Sequence, residues 1–313
     1  MKELNFIEGQ LPKGFKSDFE SFLFDEWIHR KLQAEDNWVS FHLLRESTKK
    51  SLASIHFHVK DILGQSPYRA PFGSAGFSEK LQPRDLYEFL RNVEDRLYAR
   101  GVRRIQIKNP PAVYQPSSSV LLEVSLLNLG YHVLRAEINC SLDVNKVSFE
   151  KKIQPWERRK LKQNKKAKFI FREIPVTSVA EVYEFILTCR RERGQSLSMT
   201  QSEIDRTIDT CPGRFFLFGV FQKAELTAAS ISVLVSKNIL YNFYSAHPRK
   251  WDPASPIVLL MSGMYGWCQR QDIGLFDLGT SALEDKPNFG LLDFKLHLGG
   301  KASAKLTFAK DLA

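Results

Sequence analysis

Two charged residues interrupt apolar segments near the C-terminal end of the sequence. Asp277 lies in a run that predicts a buried strand ending at Gly279, and Lys295 lies in an apolar-periodic helix that ends at Gly299. A charge inside an apolar pattern costs free energy unless it is paired or used. The carboxylate could transfer protons, and the cation could bind an anion. Alternatively, Asp277 could cap backbone amides, and Lys295 could extend its amine from a half-buried helix to solvent.

The C-terminal segment also matches an earlier part of the chain. Residues 121–130 align with residues 291–300 at an offset of 170 positions (291 − 121). Upstream, residues 101–107 align with residues 272–278 at an offset of 171 (272 − 101). Two copies of a helix–strand–loop–helix–strand unit predict a duplicated domain.

The two copies differ at the charged positions. In this alignment the first copy has Gln106 and Ser125 where the second copy has Asp277 and Lys295. We therefore expect any chemistry to use side chains of the second copy.

Three motifs in the second copy resemble the Fem-type branch of the GNAT acyltransferase superfamily, which includes the peptidoglycan aminoacyltransferases. They are RRERGQSLS at 190–198, FDLGTS at 276–281 and FGLLDFKLHLGG at 289–300. The resemblance is strongest over residues 155–308 and extends, in element order, over residues 36–145. It implies an α/β fold, with a mixed sheet in each of two tandem GNAT-like domains.

The resemblance also implies the position of an active site. In the GNAT fold the fourth and fifth strands splay apart and expose backbone amides that can stabilise an oxyanion during acyl transfer to an amine. Here these strands would be 239–246 and 273–279. The resemblance gives Lys295 the role of binding substrate phosphate or stabilising negative charge, and Asp277 and Tyr244 are further candidate catalytic residues. Tyr244 could equally be an ordinary tyrosine of an amphipathic sheet.

Four other residues are candidates for substrate binding: Arg190, Arg191, Ser281 and Asn288. The two arginines lie at a predicted helix end, where cations also interact favourably with the helix dipole. Their functional interpretation is capture of an anion at the mouth of the site.

The usual GNAT donor, coenzyme A, needs a glycine-containing loop whose amides hold pyrophosphate at a helix N-terminus. The second copy has residues 247–255 at that place, with no glycine and with prolines that donate no amide. Fem-type members that use aminoacyl-tRNA dispense with this loop. Acyl-CoA and aminoacyl-tRNA therefore both remain candidate donor substrates, and we expect no tightly bound cofactor and no metal.

A chain of 313 residues predicts two domains. We predict a first domain over residues 1–150, a linker helix over 151–172 and a second domain over 173–313. The four cysteines are scattered, and we identify neither a signal peptide nor an apolar segment that could cross a membrane. These features predict a cytoplasmic protein.

Basic residues are concentrated in the predicted linker. Residues 151–172 contain ten lysines and arginines and one acid, Glu157, in a chain with a formal net charge of +10. One interpretation is a solvated helix between domains. The other is a docking surface for a polyanion such as tRNA or an anionic membrane.

The sequence thus predicts transfer of an acyl or aminoacyl group to an amine, in a second-domain site facing the inter-domain cleft. An anionic small molecule or a nucleotide-linked compound is the expected substrate. Two alternatives stay open: a GNAT-fold protein that binds ligands without catalysis, and an acetyl-CoA-dependent N-acetyltransferase of a small amine.

Overall fold

The computed structural model describes residues 4–283 and 286–312, which divide into two compact units. The first unit comprises the residues up to Glu137 together with those from Ala304 on, and the second runs from Ile138 to Ser303. Each unit has its own cluster of buried apolar side chains. Strands and helices alternate in both, which confirms the predicted α/β class.

The first unit is built on a mixed sheet in which short parallel pairing is combined with antiparallel hairpins. Its strands and helices are β1 (Leu4–Glu8), β2 (Lys16–Ser17), α1 (Trp27–Gln33), β3 (Trp38–Arg45), β4 (Lys50–Lys60), β5 (Leu63–Ser66), β6 (Gly76–Phe77), α2 (Pro83–Ala99), β7 (Arg104–Lys108), α3 (Pro116–Asn128) and the beginning of β8 (His132–Asp143). The main strand order is β1-β3-β4-β5-β7, and β5 and β7 are parallel.

The second unit repeats this plan with longer strands. After the end of β8 come α4 (Phe149–Lys152), α5 (Pro155–Lys166), β9 (Phe169–Ile174), α6 (Val179–Arg191), α7 (Gln201–Thr210), β10 (Phe215–Gln222), β11 (Glu225–Ser236), β12 (Ile239–Ala246), α8 (Pro256–Arg270), β13 (Leu275–Thr280), β14 (Ala282–Leu283), β15 (Lys286–Pro287), α9 (Phe289–His297) and the beginning of β16 (Lys301–Asp311). The strand order is β8-β13-β12-β11-β10-β9, and β12 and β13 are parallel.

The duplication is visible in the order of these elements. The series α2-β7-α3-β8 in the first copy corresponds to α8-β13-α9-β16 in the second. The parallel pairs also share a register, because Arg104 of β7 lies opposite Leu63 and its equivalent Leu275 lies opposite Ile239. Gln106 and Asp277 therefore occupy equivalent positions, as the sequence alignment predicts.

The helix ends correct the alignment by one residue. The N–H of Tyr131 donates to the carbonyl of Leu126 at the end of α3, and the N–H of Gly300 donates in the same way to Lys295 at the end of α9. The first-copy equivalent of Lys295 is therefore Leu126, which is buried, and not Ser125. The one-residue difference could not be read from the matching leucines, which allow either alignment.

The unit boundaries differ from the predicted ones at residues 150 and 172, because the last strand of each copy passes from one unit to the other. Residues 139–143 of β8 pair with β13 inside the second unit. Residues Thr307–Asp311 of β16 pair with β7 inside the first unit. Strand pairing, rather than the point of duplication, sets the division.

The basic segment 151–172 is part of the second unit and is not a linker. In α5 the side chain of Leu161 is fully buried, and Asn164 Nδ2 donates to the carbonyl of Ala254 at 2.7 Å. Strand β9, which follows, pairs with β10. The prediction underestimated what this helix buries, because one leucine and one asparagine were enough to anchor it.

The sequence contains no apolar segment that is predicted to cross a membrane. Among the residues that the structure describes, no helix combines the length and the apolar character that crossing a bilayer requires.

Candidate functional site

Strands β12 and β13 pair only at their beginnings. Their register runs from Ile239 opposite Leu275 to Tyr241 opposite Asp277, although β12 continues to Ala246 and β13 continues to Thr280. The pairing therefore ends where the GNAT resemblance places the splay. Beyond that point the two strands separate, and their facing edges are not paired with each other.

A bulge in β12 accompanies the end of this pairing. Tyr244 lies opposite Ile231 of β11 and Asn242 lies opposite Ser232, so Phe243 is an extra residue in the ladder. Bulges bend a strand and change the directions of its side chains, and they are frequent beside functional sites.

A cavity of about 600 Å³ opens at the splay. All of its lining residues belong to the second unit, and they come from α6, β12, α8, β13, α9 and the loops that join them. This volume lies in the range typical of small-molecule sites. The polar side chains that line it are Arg190, Arg193, Gln195, Tyr241, Asn242, Ser245, His247, Asp252, Ser255, Thr280, Asn288 and Lys295.

Lys295 lines this cavity with a buried amine. Its side chain is 6% exposed, and Nζ donates to the carbonyls of Gly279 and Thr280, both at 2.8 Å. Burial lowers the pKa of Lys295 to about 8, although the nearby Asp277 carboxylate opposes the shift. An ammonium has three N–H groups, so one remains for a ligand. The amine does not reach bulk solvent, which excludes the alternative that Lys295 merely extends to water.

Asp277 is buried beside the cavity and is not among its lining residues. Its Oδ1 accepts from Asn139 Nδ2 at 2.9 Å and from the Gly279 N–H at 2.7 Å. These contacts fix the turn of β13 at Gly279, whose φ is +79°. The carboxylate thus fixes the backbone at the splay, and a catalytic role of Asp277 stays a prediction.

Tyr244 is likewise not among the residues that line the cavity. Its hydroxyl is 2.6 Å from Ser198 Oγ and accepts from the Met199 N–H at 3.1 Å. Burial raises the pKa of Tyr244. These contacts tie β12 to the chain after α6, and a catalytic role of Tyr244 stays a prediction.

The two arginines of the RRERG motif have different placements. Arg190 lines the cavity, donates to Gln195 Oε1 at 2.6 Å and to the Ser245 carbonyl at 3.2 Å, and its Nε has no hydrogen-bond partner among the described residues. Arg191 points elsewhere: its side chain is 67% exposed and lies 3.8 Å from Glu184. Only Arg190 of this predicted pair can contact a ligand in the cavity.

Ser281 and Asn288 are likewise separated by the structure. Ser281 is buried, is not a lining residue, and its Oγ has no hydrogen-bond partner within the described part of the chain. Asn288 lines the cavity, and its Oδ1 accepts from the Leu291 N–H at 3.0 Å, which caps α9. Asn288 therefore positions the helix that carries Lys295.

The cavity wall also carries a pair of residues that was not predicted from the sequence. His247 Nε2 lies 2.9 Å from Asp252 Oδ1, and the same oxygen accepts from Arg193 at 2.7 Å. Burial and the charge of Arg193 lower the pKa of His247, so its ring is neutral near pH 7. A histidine oriented by a carboxylate can accept a proton. The spacing of five residues between a strand and a helix is the only sequence feature that could have indicated this pair.

The loop that contains this pair differs from a pyrophosphate cradle. The N–H groups of Trp251, Asp252 and Ser255 all donate to carbonyls within the loop, and the N–H of Arg249 donates to Glu192 Oε2. These four amides are engaged and are not available to hold pyrophosphate.

No family model and no curated protein matches the sequence. Among solved structures, FemX superposes with a TM-score of 0.70 at 13% identity, covering 94% of this chain and 93% of that one. A lysylphosphatidylglycerol synthetase C-terminal domain from Agrobacterium fabrum gives 0.56 at 12% identity, covering 92% of this chain and 88% of its own. A tandem GNAT protein from the clavulanic acid biosynthesis pathway gives 0.54 at 10% identity, with 99% and 98% covered. The resemblance is thus confirmed in the fold: the chain has two tandem GNAT-like domains.

Proposed function

We propose that the second unit transfers an acyl or aminoacyl group from an activated donor to an amine. The observation that carries this proposal is the splay of β12 and β13, which opens onto a cavity of about 600 Å³ with the amine of Lys295 in its wall. Similarity to FemX and to a tandem GNAT protein supports the same class of reaction.

The transfer forms one bond and breaks one. The amine nitrogen of the acceptor attacks the donor carbonyl carbon, a C–N bond forms, and the C–O or C–S bond to the carrier breaks. Negative charge develops on the carbonyl oxygen, and the β12 edge beyond Tyr241 supplies backbone N–H donors for it. The buried charge of Lys295 strengthens this stabilisation.

His247 is the proton acceptor in this proposal. Asp252 holds one ring nitrogen, and Nδ1 has no hydrogen-bond partner among the described residues, which leaves it for the acceptor amine. The proton then passes to the departing oxygen or sulfur of the carrier, so the reaction needs no further acid or base.

The cations of the cavity suit a phosphate-bearing carrier. Lys295, Arg190 and Arg193 line the same space. Because four amides of the loop after β12 are already engaged, we favour an aminoacyl ester of RNA over acyl-CoA, which remains the second candidate donor. An anionic or nucleotide-linked amine is the expected acceptor.

A transfer assay tests the proposal. Radiolabelled aminoacyl-tRNA or acetyl-CoA is incubated with the protein and a panel of small amines, peptides and nucleotide-linked peptides. We expect label in an acceptor with the native protein and at least about a hundredfold less with Lys295→Met, because an oxyanion or phosphate contact is lost. Lys301→Met is the matched control, since Lys301 is exposed and pairs with Asp143.

Two results would contradict the proposal. Undiminished transfer by Lys295→Met would remove Lys295 from the site. Tight donor binding by the native protein with no transfer to any acceptor would favour a GNAT-fold binding protein without catalysis.

A further inference from the structure

One wall of the cavity is apolar. The side chains that form it come from the start of α8, the end of β13 and α9: Ile257, Met261, Leu278, Leu291, Phe294 and Leu298. Met261, Leu278 and Leu298 are almost fully buried although they line the cavity, so they form its deep part. The cationic and polar side chains Arg190, Arg193 and His247 come from the end of α6, from the residues just after it and from the residue that follows β12. The cavity thus combines an apolar wall with a cationic one.

We infer that the acyl group taken by this site is apolar and is attached to a phosphate-bearing carrier. This inference rests on the proposed function and names its substrate class. An aliphatic or aromatic acyl group would lie against the wall that contains Met261 and Leu278, and phosphate would lie near Arg190 and Lys295. Apolar contact of this kind favours a ligand in proportion to the area removed from water.

A charged acyl group would fit poorly against that wall. It would lose hydration beside Met261, Leu278 and Leu298 without gaining a partner there. Asp252, the acid that lines the cavity within the described part of the chain, is already bound to Arg193 and His247. An ammonium group on the side chain of the acyl group would have to displace one of these contacts.

Two carriers share the inferred chemistry, and the experiment separates them. One set of probes consists of hydrolysis-resistant 3′-aminoacylamino-3′-deoxyadenosine 5′-phosphates that carry leucyl, seryl, aspartyl or lysyl groups. The other set consists of acetyl-CoA and hexanoyl-CoA. Affinities are measured by titration calorimetry with the full chain.

In the first set we expect the leucyl probe to bind at least about tenfold more tightly than the seryl probe, and the aspartyl and lysyl probes to bind more weakly still. In the second set, hexanoyl-CoA should exceed acetyl-CoA by about fourfold for each methylene group that becomes buried. The set with the tighter binding identifies the carrier.

A matched pair of variants locates the preference. Leu291 and Leu296 lie on the same helix and are both 37% exposed, but only Leu291 lines the cavity. Leu291→Ser should reduce the preference for leucyl over seryl by about fivefold, and Leu296→Ser should leave it unchanged. Similar melting temperatures of the two variants would show that the difference is not one of folding.

Equal binding of the leucyl, seryl and lysyl probes, with transfer activity intact, would overturn the inference and leave the proposed function standing. An equal effect of both serine variants would also overturn it. If no probe of either set binds and no transfer is detected, the proposed function fails together with the inference.

Discussion

The two copies of the duplicated unit share a strand register but differ in how the splay is filled. In the first copy β5 ends at Ser66, and the N–H of Gly73 donates to the carbonyl of Lys108 at 3.0 Å. Lys108 is equivalent to Gly279, whose carbonyl accepts from the side chain of Lys295 instead. In the first copy a returning loop thus makes the backbone contact, and in the second a side chain makes it.

The helix after the splay, α3 in the first copy and α9 in the second, also differs between the copies. The position that carries Lys295 in the second copy carries the fully buried Leu126 in the first. Because the loop at Gly73 already satisfies the Lys108 carbonyl, the first copy needs no amine there. Its cavity, near Asp25 and His56, measures about 30 Å³ against about 600 Å³ in the second. The same fold can therefore have a filled or an open splay. Which of the two forms depends on the group that donates a hydrogen bond to the carbonyl of Lys108 or of its equivalent, Gly279.

Exchanging the two helix residues tests this comparison most severely. Leu126→Lys places an unpaired ammonium where the carbonyl is already satisfied, and we expect a loss of about 3–5 kcal/mol in the free energy of unfolding. Lys295→Leu removes a buried charge but leaves two carbonyls beside a cavity that water can enter, so its cost should be about 1–2 kcal/mol. Urea denaturation measures both. Equal losses in the free energy of unfolding of the two variants would contradict this difference between a filled and an open splay.

The second unit also carries a basic surface on α5. Substitutions on this surface should have the next largest effect, on the binding of polyanions. Arg159, Lys162 and Lys166 lie on the exposed side of α5, whereas Arg158 donates to the carbonyls of Glu150 and Ile153. Changing the three exposed residues to Glu should weaken binding of tRNA or of anionic lipid vesicles by about a hundredfold at low salt, and should lower the salt dependence.

A matched variant controls for net charge. Lys49, Lys80 and Arg91 are exposed residues of the first unit, and changing them to Glu alters the net charge by the same amount. Binding should be nearly unchanged in that variant. If both triple variants weaken binding equally, the basic surface is an ordinary solvated face.

The pH dependence of binding tests the charge of Lys295. Its pKa of about 8 is below the ordinary 10.5, so the amine is charged at pH 7 and loses its proton as the pH rises through 8. If only the charged form binds phosphate, affinity for a phosphate-bearing probe should fall about tenfold between pH 7 and pH 9. Lys295→Arg should abolish this fall. The same shift favours the folded state as the pH rises from 8 to 10.5, because only the unfolded chain then keeps this proton.

The smallest expected effect concerns the glycine at the splay. Gly279 has a φ of +79°, and an added Cβ would lie 3.3 Å from the Tyr241 ring, whereas Gly101 has a φ of +88° and open space around it. Gly279→Ala and Gly101→Ala should each cost about 1–2 kcal/mol of stability for the left-handed backbone. Only Gly279→Ala should also reduce ligand affinity, by a fewfold, as measured by calorimetry. An equal affinity in both variants would separate Gly279 from the site.

The duplication and the order of the elements can be read from the residues alone, and so can the unusual position of Lys295 inside an apolar helix. Helical and strand periodicity, glycine stops and a charge inside an apolar helix are local features, and local features can be read from spacing. The resemblance added the two tandem domains and the position of the splay.

Only the tertiary structure decided which side chains meet. The bulge at Phe243 changes the directions of the side chains of β12, and the Tyr244 hydroxyl bonds to Ser198 and Met199. The loop after β12 brings His247 to Asp252. Strand pairing divides the last strand of each copy between the two units. A loop at Gly73 fills the splay of the first copy. The His247–Asp252 contact joins residues five positions apart, but it depends on the path of the loop. The other outcomes depend on contacts between residues far apart in the chain or on a single change of register, and none of them is written in the local pattern of residue types.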